Sequence, residues 1–242
     1  QPEQPPIIAA PETDPELELV EDPTQSYYML GGRTHILFIP DWLVEGAGGL
    51  ASFPNIVGWA VGIEFTYRKY GFDIVPAIWW GSYAFDGFTR EDGDPLSETE
   101  HLKSDLGALW VTVDFIAGTD FYPWFGLTYG GSIGLGFPFA GDIVRTEAYQ
   151  DPVTDQWHPC DGPGRPTHLA PDGPMYCEVS GGHYGPIPRN EGFGSIWVPF
   201  PYLSGIFGFR WKPLRNLVIG GPELRVGVPE LFSLGLRVNY MF

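Results

Sequence analysis

Apolar residues recur at every second position along most of this chain. The clearest case is LFSLGLRVNYMF, Leu231–Phe242. Phe232, Leu234, Leu236, Val238, Tyr240 and Phe242 form one row, and Ser233, Gly235, Arg237, Asn239 and Met241 form the other. Successive side chains of a β-strand point to opposite faces, so the pattern predicts a strand with one apolar face and one small or polar face. The same alternation predicts strands over about Tyr27–Ile39, Asn55–Lys69, Phe72–Phe85, Asp105–Ile116, Tyr122–Phe139 and Leu217–Val228, and another within Ser195–Lys212. In the second of these, Val57, Trp59, Val61, Ile63, Phe65 and Tyr67 oppose Gly58, Ala60, Gly62, Glu64, Thr66 and Arg68. Pro199, Pro201 and Pro222 fall inside or beside such runs and predict bulges, because proline removes a ladder donor.

The connections alternate in length. Short turns are expected at Tyr70-Gly71, Gly118-Thr119 and Leu214-Arg215-Asn216. Long loops are expected at Pro40–Pro54, Asp86–Ser104 and about Ala140–Gly194, with a brief VPELF connection before the last strand. Short turns at one end and long loops at the other suit an up-and-down barrel in a membrane. An additional hairpin inside 140–194 would raise the strand count from eight to ten.

Which solvent the apolar face meets is decided by its opposite face. A soluble barrel carries charge outside and apolar residues inside. Here the second row is mainly Gly, Ala, Ser and Thr, with the charges Arg33, Glu64, Asp114, Arg210, Glu223, Arg225 and Arg237. Small residues fit a narrow interior, and few charges of both signs are expected to pair there, because a lone buried charge costs several kcal/mol. Aromatics gather near both ends of the predicted strands, as at the two interfaces of a bilayer. The reading is therefore an all-β protein: an eight-stranded antiparallel transmembrane β-barrel spanning 27–242, with an extended N-terminal tail at 1–26.

Composition agrees. Aromatics make up 16% of the chain, and its 33 Gly and 25 Pro favour strands and turns over helices. No run approaches the roughly 20 apolar residues of a transmembrane helix. The net charge of -17 excludes nucleic acid as a partner, since phosphates would be repelled. The chain opens on Gln1 without a Met, as a processed secretory precursor with its signal peptide removed would, and as a chain trimmed for other reasons would too.

The alternating segments and the terminal LGLRVNYMF resemble small bacterial outer-membrane barrels of the OmpA/OmpX type, over about Tyr27–Phe242. The resemblance implies a location in the outer membrane, contact with membrane lipid, and an insertion signal carried by Leu236, Val238, Tyr240 and Phe242. With an even number of strands, both termini are expected in the periplasm.

The tail is rich in proline and holds seven acidic residues with no Lys or Arg. Its apolar residues Ile7, Ile8, Leu17, Leu19 and Val20 are the expected anchors for a protein partner, periplasmic or within the outer membrane. Cys160 and Cys177 lie in the longest loop, and an oxidising compartment predicts a disulfide between them. His158, His168 and His183 flank them, but the spacing matches no zinc motif, so no metal and no cofactor are expected. Glu91, Asp92 and Asp94 read as a solvated acidic tip. His35, beside Glu64 and Ser82 if strands pair in order, is the one arrangement an enzyme reading offers, and no GxSxG occurs. Trp79, Trp110 and the interior charges are expected to block a pore. The function expected is structural or adhesive, with a lipid-modifying enzyme or a narrow channel as alternatives.

Overall fold

The computed structural model describes residues 19–22, 24–42, 50–52, 55–167, 169–171, 175–178, 182–186, 199–229 and 231–242. Its long strands are β1 (Tyr27–Ile39), β3 (Ile56–Lys69), β4 (Phe72–Glu91), β5 (Glu100–Tyr122), β6 (Phe125–Ala140), β10 (Phe200–Leu214), β11 (Leu217–Val228) and β12 (Phe232–Met241). Short strands are β2 (Leu50–Ser52), β7 (Ile143–Gln150), β8 (Trp157–Pro159) and β9 (Tyr184–Pro186). Among the described residues no helix is long and apolar enough to cross a membrane.

The eight long strands close on themselves. Each pairs antiparallel with the next in sequence, and β1 pairs with β12 to complete the ring. A closed sheet has no edge, so every ring strand has two neighbours. Three tight turns share one end. Lys69 pairs with Phe72 across Tyr70-Gly71, Tyr122 with Phe125 across Pro123-Trp124, and Leu214 with Leu217 across Arg215-Asn216. Tyr70 (φ 54) and Gly71 (φ 71) both take the left-handed conformation that suits a tight hairpin. At the same end β1 starts and β12 ends, with Met29 opposite Met241.

The side chains divide as the alternation predicts. The apolar row of β12 points outward, and Leu236, Val238 and Tyr240 are exposed, as is Phe242. Ser233, Arg237, Asn239 and Met241 are buried. On β3, Val57, Trp59, Val61 and Ile63 are exposed, whereas Ala60, Glu64, Thr66 and Arg68 are buried. The small residues make room inside: a Cβ on Gly136 would run into the Trp110 ring.

Several expectations are corrected. Gly118-Thr119 is not a turn. The strand runs on, with Gly118 opposite Thr128 and its N–H donating to the Gly71 carbonyl at 3.2 Å. The turn sits at Pro123-Trp124, where proline cannot extend a ladder. β4 and β5 reach well beyond the predicted ends at Phe85 and Asp105 and pair out to Thr89–Glu100. The 140–194 connection does hold further strands, but they do not enter the ring. β6 pairs with β5 from Gly107 onward, and β7 takes over the same edge of β5 along Glu100–Ser104. Pro222 does sit at a register shift between Gly220 and Glu223. Pro201 does not, and pairs in register with Leu135. β11 pairs with β10 only from Leu203 on, so the missing donor disrupts no ladder on that side.

Candidate functional site

The interior is filled in layers. At mid-height three arginines and three carboxylates alternate in a closed circuit. Arg33 donates to Glu64 at 2.6 Å and to Asp114 at 2.8 Å. Arg225 donates to Asp114 at 2.7 Å and to Glu223 at 2.7 Å. Arg237 pairs with Glu223 at 2.9 Å and with Glu64 at 3.8 Å. Ser132 donates to Asp114 and Asn239 donates to Glu64, each at 2.6 Å. All six charged side chains are buried. Each buried charge thus has two opposite partners, which is the condition for a desolvated ionic group to be tolerated. Of the seven predicted interior charges, Arg210 alone stands apart. It lies nearer the tight turns on β10, opposite Gly126, and pairs with Asp120.

On the long-loop side of this circuit lies an aromatic layer. Trp79 and Trp110 stack with centroids 5.3 Å apart, and Tyr202 meets their edges at 5.6 and 5.4 Å. Trp79 Nε1 donates to Thr112 at 3.2 Å. Ala60, Ala77 and Ala108 pack around the rings. The ring interior is thus filled by ions and aromatics, as the width of eight strands requires.

The tight-turn mouth holds a second set of ion pairs. Arg68 binds both oxygens of Asp73 at 2.6 and 2.7 Å and reaches Glu21 at 3.1 Å. Lys212 donates to Glu21 at 2.9 Å and to the Leu19 carbonyl at 2.8 Å. Burial works against the Glu21 carboxylate, but Arg68 and Lys212 outweigh it and hold its pKa below the usual glutamate value. At Leu19–Glu21 the tail is therefore tied to the chain's own ring. The Leu19 backbone carbonyl is engaged here, while the Val20 side chain is exposed. Ile7, Ile8 and Leu17 lie outside the described residues. Arg68 stood on the polar row of the sequence pattern, but nothing in the sequence tied it to Glu21, 47 positions away.

Beyond the ring, β7, β8 and β9 build an outer subdomain against the extension of β5. Cys160 and Cys177 form the predicted disulfide, with Cα atoms 5.8 Å apart. Around it pack Ala170, Tyr176, Tyr149, Trp157 and Tyr184. The sulfurs of both cysteines are therefore held in that bond. His158 lies against Tyr149, and His168 falls outside the described residues.

His183 instead meets two carboxylates that the sequence did not single out. Glu100 of β5 and Glu147 of β7 stand directly opposite one another across the strand pair. His183 Nδ1 lies 3.2 Å from Glu100 Oε1 and 3.9 Å from Glu147 Oε1. The His183 backbone N–H donates to Glu147 Oε1 at 3.1 Å, and Arg145 pairs with the other oxygen of Glu100. Burial, with the adjacent Glu100 carboxylate adding to it, raises the pKa of Glu147.

The one enzyme-like arrangement does not assemble. His35 lies inside the ring against Trp79, with centroids 5.9 Å apart. Glu64 is held by Arg33 and Asn239. Ser82 lies on the outward row of β4, with Ile78 and Trp80. Glu91 and Asp92 are exposed at the β4 tip, as expected of a solvated turn.

No family model matches the chain, and no curated protein matches it. Among solved structures it is similar to Neisserial surface protein A, at 10% identity and a TM-score of 0.44, covering 90% of this chain and 99% of that one. It is similar to Ail, the attachment invasion locus protein of Yersinia pestis, solved with the heparin analogue sucrose octasulfate, at 11% identity and a TM-score of 0.37, covering 90% and 97%. The translocator domain of the autotransporter NalP from Neisseria meningitidis matches at 10% identity and a TM-score of 0.22, covering 94% and 92%. These three neighbours are bacterial outer-membrane β-barrel proteins.

Proposed function

We propose that the chain is an integral outer-membrane barrel that anchors and presents its outer subdomain to another protein. The observation that carries this is the inversion of faces: aliphatic and aromatic rows cover the outside of the ring, and the charges are buried inside it. Water would penalise such an exterior, because large contiguous apolar surfaces on soluble proteins are rare. Hydrocarbon favours it. In this reading β1 starts and β12 ends on the periplasmic side, and Leu236, Val238, Tyr240 and Phe242 form the insertion signal.

The filled interior favours an anchor over a channel. The part built for contact is the outer subdomain, which has its own disulfide and aromatic core. The overall charge of -17 favours a basic partner surface. The tail upstream of Leu19 is a second docking segment on the periplasmic side. The test is purification from native membranes in mild detergent. The full chain should carry a second protein with it. Replacing 143–186 with a short turn, or deleting 1–18, should release that protein and leave the barrel folded, as judged by altered gel mobility without heating. A lone monomer in every case sinks the reading.

A further inference from the structure

We propose that Glu100, Glu147 and His183 form a binding site for a divalent transition-metal cation, with Zn²⁺ the best match, on the outer subdomain. Three backbone segments converge here: the start of β5, the middle of β7 and the residue preceding β9. One oxygen from each carboxylate and an imidazole nitrogen lie within 4.8 Å of one another. Ligand atoms about 2.0–2.1 Å from one tetrahedral zinc lie about 3.3 Å apart. The imidazole–carboxylate separations of 3.2 and 3.9 Å approach that spacing without a backbone change.

The charges point the same way. Two glutamates directly opposite on antiparallel strands repel each other. Both are largely shielded here, with side chains 12% and 9% exposed. Arg145 offsets one of them, but from the far oxygen of Glu100, leaving the near oxygen turned toward His183. An outer hydrogen bond of this kind is what fixes a ligating carboxylate in place. A divalent cation between the near oxygens would cancel the remaining repulsion. The imidazole favours zinc-like ions over calcium, which takes oxygen ligands. His183 is half-exposed, which leaves an open coordination position and a path of entry.

The experiment uses the full chain in detergent, stripped with a chelator and titrated with Zn²⁺ by calorimetry. One equivalent should bind saturably, and Ca²⁺ should not compete. His183→Gln and Glu147→Gln should each weaken binding by at least about tenfold, while His158→Gln leaves it unchanged. Because either variant could loosen the loop, X-ray absorption at the zinc edge of the wild-type protein gives an independent reading. It should show nitrogen and oxygen neighbours near 2.0 Å with a single imidazole and no sulfur. Absence of saturable binding, binding unaffected by both variants, or a shell holding sulfur or several imidazoles would overturn the site.

Discussion

Arg33 of β1 and Arg237 of β12 stand directly opposite one another where the ring closes. Two like charges in that position repel. Glu64 reconciles them, pairing with Arg33 at 2.6 Å and with Arg237 at 3.8 Å. The seam between first and last strand is thus held by a residue of β3. Glu64→Gln leaves both guanidinium groups buried with one counter-charge fewer, and a loss of about 3–5 kcal/mol is expected. Urea unfolding in detergent micelles, followed by unheated gel mobility, measures it. Adding Arg237→Gln to the same chain should recover part of the loss, because the pair is removed together. Strictly additive losses would contradict a coupled circuit.

The tail contact is pH-dependent with a defined sign. Ionised Glu21 binds Arg68 and Lys212, and its folded pKa lies below the ordinary 4.5. Its contribution is therefore fully present above that value and fades as pH falls through the depressed folded pKa. A spin label at the exposed position 20 should be restrained at pH 7 and progressively freed as the pH falls through that depressed folded pKa. In Glu21→Gln it should be mobile throughout. If the label stays restrained in that variant, the carboxylate does not hold the tail.

Much of this was legible in the sequence, and the physics says which part. A period of two assigns each residue to a face, so the buried rows of β3 and β12, and the inward placement of all seven interior charges, could be named from the pattern alone. Periodicity says nothing about which strand a residue meets. Arg210 sits on the correct face but too far along β10 to join the circuit, and only the register shows this. The segment Gly118-Thr119-Asp120 has the composition of a turn, yet its partners across the ladder keep it extended. The cluster of Glu100, Glu147 and His183 depends on β7 pairing with an extension of β5 that carries no apolar alternation.

Interior volume sets a further limit. The ring of Trp110 occupies the space where a Gly136 side chain would lie. Gly136→Val should destabilise the barrel by about 1–3 kcal/mol through overpacking. The same change at Gly205, whose nearest neighbour to a Cβ is 3.8 Å away, should be nearly silent. Denaturation midpoints of the two variants give the comparison, and equal midpoints would argue against a packed core at Trp110.

The disulfide should act locally. Cys160 and Cys177 belong to the outer subdomain, which meets the ring along the β5 extension. Replacing both with Ser should remove about 3 kcal/mol from that unit in the chain-entropy picture. Hydrogen exchange should then rise across 143–178 while the ring strands stay protected. Exchange rising equally in β11 and β12 would show the two parts to be one cooperative unit.

The most direct measurement is collision accessibility of single nitroxide labels along β12 in reconstituted bilayers. Labels at 234, 236 and 238 should collide freely with lipid-soluble oxygen and rarely with a water-soluble nickel chelate. Labels at 233 and 235 should be shielded from both. High nickel accessibility at 236 would place the apolar row in water and contradict the membrane account.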